Sequence, residues 1–184
     1  MVTVEREFTF TFEEKRSKFI AHIFPHGNFK NILERLKSEN PKARHFVTAF
    51  RYLNEFEQIV EGSSDDGEPK GTSGKPSLAV LQGSDLIDIG VIIVRYFGGT
   101  KLGTGGLVRA YSSSVNGVIS ISELSERKKL LQKNFQILYK DISRFKYQIE
   151  KLELQIIDEV FGNEGGNFLV SGEKEKLENL ELKL

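Results

Sequence analysis

The chain has no cysteine, no tryptophan and only three histidines among its 184 residues. Without cysteine there are no disulfides, zinc–cysteine clusters, iron–sulfur clusters or thiol nucleophiles, and three histidines disfavour a histidine-rich metal site. Net charge is also missing, because 26 Lys and Arg balance 26 Asp and Glu. This balance excludes the strongly basic profile of a duplex-DNA coat protein and the disorder that a charge excess produces.

Long apolar runs are absent as well, and the chain does not start with a basic segment followed by an apolar one. We therefore expect no membrane-spanning helix, no membrane partner and no secretory signal, and we predict a cytoplasmic protein. The length suits one medium domain or two small ones. A chain of this size can bury a sufficient core without a metal or a disulfide.

Glycine is concentrated in the middle of the chain, where 12 of the 17 glycines lie between Gly62 and Gly117. Alternating apolar residues predict two strands within residues 2–24, and an amphipathic stripe predicts a helix from residue 29 to the Asn-Pro pair at 40–41. Residues 45–60 have the pattern of a hairpin. Residues 87–97 are almost all apolar, which indicates a strand buried on both faces, and a long helical face follows from residue 107.

Residues 122–129 are polar, charged and free of glycine, and strand–helix periodicity restarts after them. We therefore predict two domains, over residues 1–124 and 125–184. The second has the order β-α-β-β-α, with residues 181–184 left for a last strand. This is the order of a small ferredoxin-like unit, and the predicted fold class is α+β.

The first candidate for chemistry is an acidic loop that contains Asp65, Asp66 and Glu68. Three carboxylates within four residues could hold Mg²⁺, which takes one or two carboxylates together with phosphate or water. The same residues are also typical of turns, in which Asp side chains accept hydrogen bonds from nearby backbone N–H groups, and composition favours that interpretation. We expect no cofactor unless the Mg²⁺ alternative holds.

The second candidate is the glycine-rich passage over residues 95–109. A glycine-rich turn that opens a helix exposes backbone N–H groups and the positive end of the helix dipole, which together can bind an anion. Tight turns and close helix–strand packing would require the same glycines. The candidate residues for binding nucleic acid or phosphate are Arg95, Tyr96, Lys101, Gly103, Gly105, Gly106 and Arg109.

Further basic residues accompany these candidates, and they are either phosphate contacts or scattered solvated charges. They are Lys15, Arg16, Lys18, Arg44 and His45. His45 has no Ser or Cys at the spacing of a catalytic triad, so no catalytic residue is assigned. We predict that the acidic loop and the glycine-rich passage lie on one side of the first domain. Arg95 ends an otherwise apolar strand, where a guanidinium is costly unless it is paired or reaches solvent. We predict that it meets either a carboxylate of the acidic loop or a phosphate, and Lys101 and Arg109 could face the same phosphate.

The acidic loop and the glycine-rich passage belong to two long motifs, and these motifs, in this order along the chain, resemble those of the YigZ/IMPACT family in its bacterial two-domain form. The resemblance rests on Lys15, Ser17, Phe19 and Ile20, on residues 43–45, on residues 64–69 with 71–72 and 74–76, and on residues 94–99 with 102–111. It implies that the first domain is a two-layer α/β fold similar to the second domain of the fifth small-subunit ribosomal protein. It also implies that the second domain is similar to the ferredoxin-like last domain of elongation factor G. Eukaryotic relatives are linked to translational control through an activator of the starvation-responsive kinase of initiation factor two.

Three interpretations of function follow. The first is a regulatory protein that binds RNA and acts with the translation machinery. The second is a protein that binds, or an enzyme that acts on, a small phosphorylated ligand by means of the glycine-rich passage and the acidic loop. The third is a protein-interaction module. The sequence shows no assembled general base, nucleophile and positioning group, so we rank RNA binding first and expect a binding protein rather than an enzyme.

Overall fold

A computed structural model describes residues 1–183 of the chain. It divides the chain into two compact units, Met1–Arg127 and Lys128–Leu184. The predicted boundary after residue 124 lies inside a short strand of the first unit. Within residues 1–183, no helix has both the length and the apolar character that crossing a lipid bilayer requires.

The first unit contains seven strands and three α-helices within its described residues. The strands are β1 Val2–Val4, β2 Phe8–Glu14, β3 Ser17–Pro25, β4 His45–Leu53, β5 Ile59–Ser64, β6 Ile89–Tyr96 and β7 Leu124–Glu126. The helices are α1 Phe29–Glu39, α2 Gly74–Gly83 and α3 Gly103–Ile121. These positions confirm the predicted hairpin, the helix from residue 29 and the strand before Gly98.

Five of these strands form one antiparallel sheet in the order β2-β3-β6-β4-β5. Strand β6 lies at its centre and is apolar on both faces, so both faces must be covered. Ile89, Val91 and Ile93 pack with α2 and α3 in one core. Ile92 and Val94 pack with α1 in another. The two-layer arrangement implied by the family resemblance is therefore wrong, because helices cover both faces of the sheet.

The first and last strands of the first unit pair with each other, with Val2 opposite Glu126 and Val4 opposite Leu124. Arg127, the next residue, donates from Nε to Oδ2 of Asp88 across 2.7 Å and is also paired with Glu57. Residues 125–127 therefore belong to the first unit, and the predicted boundary is three residues too early. The polar composition of this stretch concealed a strand that forms a separate two-stranded sheet with β1.

The second unit has the order β-α-β-β-α. Its elements are β8 Leu130–Leu138, α4 Ile142–Lys151, β9 Gln155–Phe161, β10 Gly165–Glu173 and α5 Lys174–Glu181. Its antiparallel sheet has the order β8-β10-β9, and both helices contribute to one core around Phe145 and Phe168.

No last strand follows α5 in the described part of the second unit. The backbone N–H of Leu182 bonds to the carbonyl of Glu178, and that of Lys183 to the carbonyl of Leu180. These bonds continue the helical turn where the sequence predicted a strand, and Leu184 lies outside the described residues. The likeness to a complete ferredoxin-like unit stays a prediction.

Candidate functional site

A buried ion pair joins the two candidate loops. Arg95, at the end of β6, donates from Nη1 to Oε1 of Glu68, and the two residues are 5% and 8% exposed. The hydroxyl of Tyr111, on α3, donates to the same oxygen across 2.8 Å. Burial, reinforced by the Glu68 charge, raises the pKa of Tyr111 well above its usual range, so its hydroxyl remains a donor. The prediction that Arg95 meets either a loop carboxylate or a phosphate thus resolves to Glu68.

Asp65 stabilises the loop that carries Glu68. Its carboxylate accepts hydrogen bonds from the backbone N–H groups of Gly71, Ser73 and Gly74 and from the Ser73 hydroxyl, at 2.7–3.1 Å. Burial tends to raise the pKa of Asp65, but these donors outweigh burial and leave that pKa below its usual value. The side chain therefore connects the acidic loop to the start of α2 and is not available to a ligand.

Asp66 has a structural role as well. Its Oδ2 accepts the backbone N–H of Phe46 at 2.6 Å, and its carbonyl accepts a hydrogen bond from Nδ1 of His45 at 2.8 Å. The three loop carboxylates thus serve three separate purposes, and only that of Asp65 matches the turn interpretation, because its backbone donors are nearby in sequence. Among residues 1–183 no group of three acidic or histidine side chains could hold a metal ion, so the Mg²⁺ interpretation gains no assembled set of ligands.

A cleft of about 340 Å³ lies above the buried ion pair. Both candidate loops contribute to it, so they do lie on one side of the first unit. The residues that line this cleft are Glu68, Pro69, Arg95, Phe97, Lys101, Leu102, Gly103, Thr104 and Leu107. Of the predicted phosphate-binding residues, it thus brings together Arg95, Lys101 and Gly103.

The other four predicted site residues lie elsewhere. Tyr96 follows Arg95 in β6 and therefore points to the opposite face, where its hydroxyl donates to Oδ1 of Asn40 at 2.7 Å. Arg109 lines a second cavity of about 230 Å³, together with Lys15, Gly106 and Leu102. Gly105 lies on the exposed first turn of α3, between the two cavities. Arg95 is thus paired with Glu68 and Arg109 lines a different cavity from Lys101, so the idea that all three cations face one anion gains no support.

The turn between β2 and β3 lies beside the glycine-rich passage. Its two residues, Lys15 and Arg16, have φ angles of 47° and 64°, in the left-handed region that glycine and asparagine prefer. Gly98 packs directly on this turn, because a Cβ at Gly98 would lie 2.1 Å from the backbone carbonyl carbon of Arg16. The contact brings the backbone of the turn to the glycine-rich passage, and Lys15 lines a cavity with Leu102 and Gly106 at the start of α3.

Lys15, Arg16, Lys101 and Arg109 form what we call the basic patch. All four are exposed, and none of them forms an ion pair within the described residues. Most other arginines of the first unit are paired with acids, namely Arg6, Arg35, Arg51, Arg95 and Arg127. The patch is therefore a local concentration of unpaired basic side chains on a protein whose net charge is zero, with one carboxylate, that of Glu14, lining the cavity of Lys15 and Arg109.

Sequence reasoning missed two residues at this site. Tyr111 was assigned only to the apolar face of α3, although a buried tyrosine hydroxyl requires a partner. Phe97 was counted as the end of a buried strand, but its ring is 49% exposed and lies 5.8 Å from Cζ of Arg95. The signal for Phe97 was its place directly before Gly98 and Gly99, where the strand leaves the sheet.

Comparison with known proteins identifies relatives of the whole chain. The family model described as the Impact N-terminal domain matches residues 15–119. An IMPACT family member of Haemophilus influenzae is 36% identical over 157 residues, which are 82% of this chain and 75% of that protein. The IMPACT family member YigZ of Escherichia coli K12 is 36% identical over 149 residues, 79% of this chain and 73% of that protein.

One solved structure is similar over nearly the full length. It is described as the crystal structure of a hypothetical protein, and it aligns with a TM-score of 0.77 at 30% identity. The alignment covers 99% of this chain and 89% of that one. Sequence and structure thus agree, and the chain belongs to the IMPACT family.

Proposed function

We propose that this protein is a translation-associated regulator that binds RNA through the basic patch. The observation that carries the proposal is the set of four exposed cations without ion pairs around the start of α3. Lysine and arginine reach phosphates, and phosphate contacts supply most of the sequence-independent affinity for nucleic acid. The role in translation follows from the family, whose eukaryotic members the resemblance links to translational control.

An aromatic ring beside the patch favours RNA over a protein partner, and backbone strain within the patch is typical of a functional site. Phe97 offers an exposed aromatic ring next to Lys101, and aromatic rings stack on the unpaired bases of single strands. Lys15 and Arg16 occupy backbone positions that cost each of them conformational energy, and strained positions of this kind cluster at functional sites. Because the net charge of the whole chain is zero, we expect modest affinity that depends strongly on salt.

The test is a salt titration of the affinity for single-stranded RNA. Lys101→Ala and Arg109→Ala should each weaken binding to a similar extent for different sequences. Each should also reduce the slope of log K against log salt by about 0.7, the value for one phosphate contact on a single strand. Lys30→Ala is the matched control, because Lys30 is an exposed cation on α1, which covers the other face of the sheet.

Two results would contradict the proposal. Binding by the unmodified protein that is undetectable at about 50 mM salt, where electrostatic attraction is strong, would remove RNA as the ligand. Equal slopes for the patch variants and Lys30→Ala would show that RNA is bound elsewhere on the protein.

A further inference from the structure

The guanidinium at the floor of the cleft is only partly satisfied. Arg95 is 5% exposed, yet within the described residues only its Nη1 donates a hydrogen bond, to Glu68. Its Nε is buried without a partner. A buried donor without an acceptor costs free energy, and such groups are rare in folded proteins unless a water or a ligand satisfies them. The floor of the cleft therefore contains one buried donor, Nε of Arg95, without an acceptor, although the charge of Arg95 is paired with Glu68.

The rim of the cleft adds further positive character. Helix α3 has 19 residues, no side chain caps its N-terminus, and its first turn contains no acidic residue. Gly103 and Thr104, its first two residues, line the cleft next to the exposed Lys101. Because Glu68 offsets the charge of Arg95, Lys101 and the free N–H groups of the helix supply the net attraction for an anion.

The remaining wall of the cleft is apolar. It is formed by the side chains of Pro69, Phe97, Leu102 and Leu107. A volume of about 340 Å³ falls at the lower end of the range typical for small-molecule sites. Simple inorganic anions would leave this wall without a partner, whereas an anion attached to a planar apolar group would use both parts of the cleft.

We propose that this cleft binds the phosphomonoester of a nucleotide, with the phosphate at the start of α3 and the base against Phe97. A phosphomonoester has three terminal oxygens, enough to accept from Lys101 and from the helix N–H groups at once. The phosphate can approach the backbone of Gly103 closely, because this residue has no side chain and no protein atom lies within 4 Å of the place that a Cβ would occupy. Internal phosphodiesters have two terminal oxygens and a chain on both sides, so they bind the open basic patch instead.

Such a phosphomonoester has two sources, the 5′ end of an RNA strand or a free nucleotide. The first source rests on the proposed RNA binding and would make the protein selective for 5′-monophosphorylated strands. The second is independent of RNA binding. The two are separated by measuring two pairs of probes: the same RNA decamer with a 5′-phosphate or a 5′-hydroxyl, and AMP or adenosine.

The decisive variant is Thr104→Glu. An acid in the first turn of a helix is favourable for the helix, so this variant should fold, while its carboxylate would repel a phosphate in the cleft. Val108→Glu is the matched control, because it adds the same charge one turn later on an exposed residue that lines a different groove. Phe97→Ala removes the exposed ring without touching the charges.

For the unmodified protein we expect AMP to bind at least about tenfold more tightly than adenosine, the effect of one or two charge-assisted hydrogen bonds. If strand ends are bound, the 5′-phosphorylated decamer should show a similar preference over the 5′-hydroxyl decamer. Thr104→Glu should abolish these preferences, and Val108→Glu should retain them. Phe97→Ala should lower the affinity for AMP but keep the preference of AMP over adenosine.

Each outcome has a distinct meaning. If the protein still binds RNA but shows no AMP binding and no preference for a 5′-phosphate, the cleft proposal is overturned and the proposed function stays intact. AMP binding without RNA binding would support the cleft and overturn the proposed function. Equal losses in Thr104→Glu and Val108→Glu would also overturn the proposal, since general repulsion would then account for the preference.

Discussion

Arg95 and Glu68 form an ion pair that is almost completely buried beneath the cleft, although 27 positions of sequence separate them. The pair connects the end of the central strand β6 to the acidic loop, and Tyr111 attaches α3 to the same carboxylate oxygen. Three elements thus meet at one oxygen atom. The shape of the cleft therefore depends on the charge of Glu68, even if Glu68 never contacts a ligand.

Removal of this carboxylate should destabilise the first unit strongly. Glu68→Ala leaves a buried guanidinium without its partner, a change that typically costs about 3–5 kcal/mol. Urea unfolding measures the change in the free energy of unfolding. The control is Glu34→Ala, because Glu34 is exposed and forms no ion pair within residues 1–183, and its free energy of unfolding should stay within about 0.5 kcal/mol of that of the unmodified protein. The triple variant Glu68→Leu, Arg95→Met and Tyr111→Phe should recover most of the loss, because it leaves neither the guanidinium nor the Tyr111 hydroxyl buried without a partner. If Glu68→Ala and Glu34→Ala were equally stable, the pair would have no structural role.

The stabilising effect of Asp65 should depend on pH. Burial opposes its ionisation, but four donors lower its pKa in the folded protein, so the ionised form stabilises the fold. That stabilisation is complete above the unfolded pKa of about 3.9 and disappears as the pH falls through the lowered folded value. Asp65→Asn should therefore be less stable than the unmodified protein at pH 7, and the difference should narrow below about pH 4. An equal difference in thermal midpoint at pH 7 and pH 3 would contradict this account.

A more favourable turn sequence at Lys15 and Arg16 should raise the stability of the first unit and lower its affinity for RNA. Asparagine followed by glycine suits a two-residue hairpin turn in which both φ angles are positive. Lys15→Asn with Arg16→Gly should thus stabilise the first unit by about 1 kcal/mol for each position. The same variant should weaken RNA binding and reduce its salt slope, since two cations of the basic patch are lost. A gain in stability without a loss of affinity would exclude the turn from the RNA-binding surface.

The boundary of the first unit is tested by two fragments. Residues 1–127 keep the pairing of β1 with β7 and the ion pairs of Arg127, so this fragment should fold alone. Residues 1–124 lose most of β7 and should have a thermal midpoint at least several degrees lower. Amide NMR spectra compared with those of the whole protein would check both. An unfolded 1–127 fragment would show that the first unit depends on the second.

Much of the first unit was predictable because its elements are strongly periodic. The apolar character of β6 and the stripe at Phe29–Leu36 follow from burial alone, and both appear where the sequence predicted them. The helices on both faces of the sheet were implicit in the same observation, because a strand that is apolar on both sides needs a layer on each. The family resemblance, in contrast, implied two layers, with helices on only one face of the sheet.

The candidate site was predictable only in part. The meeting of the two loops followed from Arg95, an arginine in an apolar strand that requires a buried acid. The alternation of side chains in a strand already excluded Tyr96 from the face of Arg95. The position of Arg109 depends on how α3 is rotated about its axis. The position of Lys15 and Arg16 depends on a contact between distant turns. Local sequence therefore determines neither the position of Arg109 nor that of this turn.

The pairing of β1 with β7 also governs when the first unit can be completed during synthesis. Val4 cannot meet Leu124 until about 120 more residues have been added, which takes about 6–24 s at 5–20 residues per second. During that interval β1 lacks β7, although the hairpin of β2 and β3 can form from neighbouring residues. The backbone of Val2 can also bond to that of Asp85 and Ile87 once these residues have been made. Because long-range pairings are slow to form, closure of the unit should be the last step of its folding on the ribosome. The nascent first unit is thus a distinct species, open at one margin, for as long as β7 is still being made.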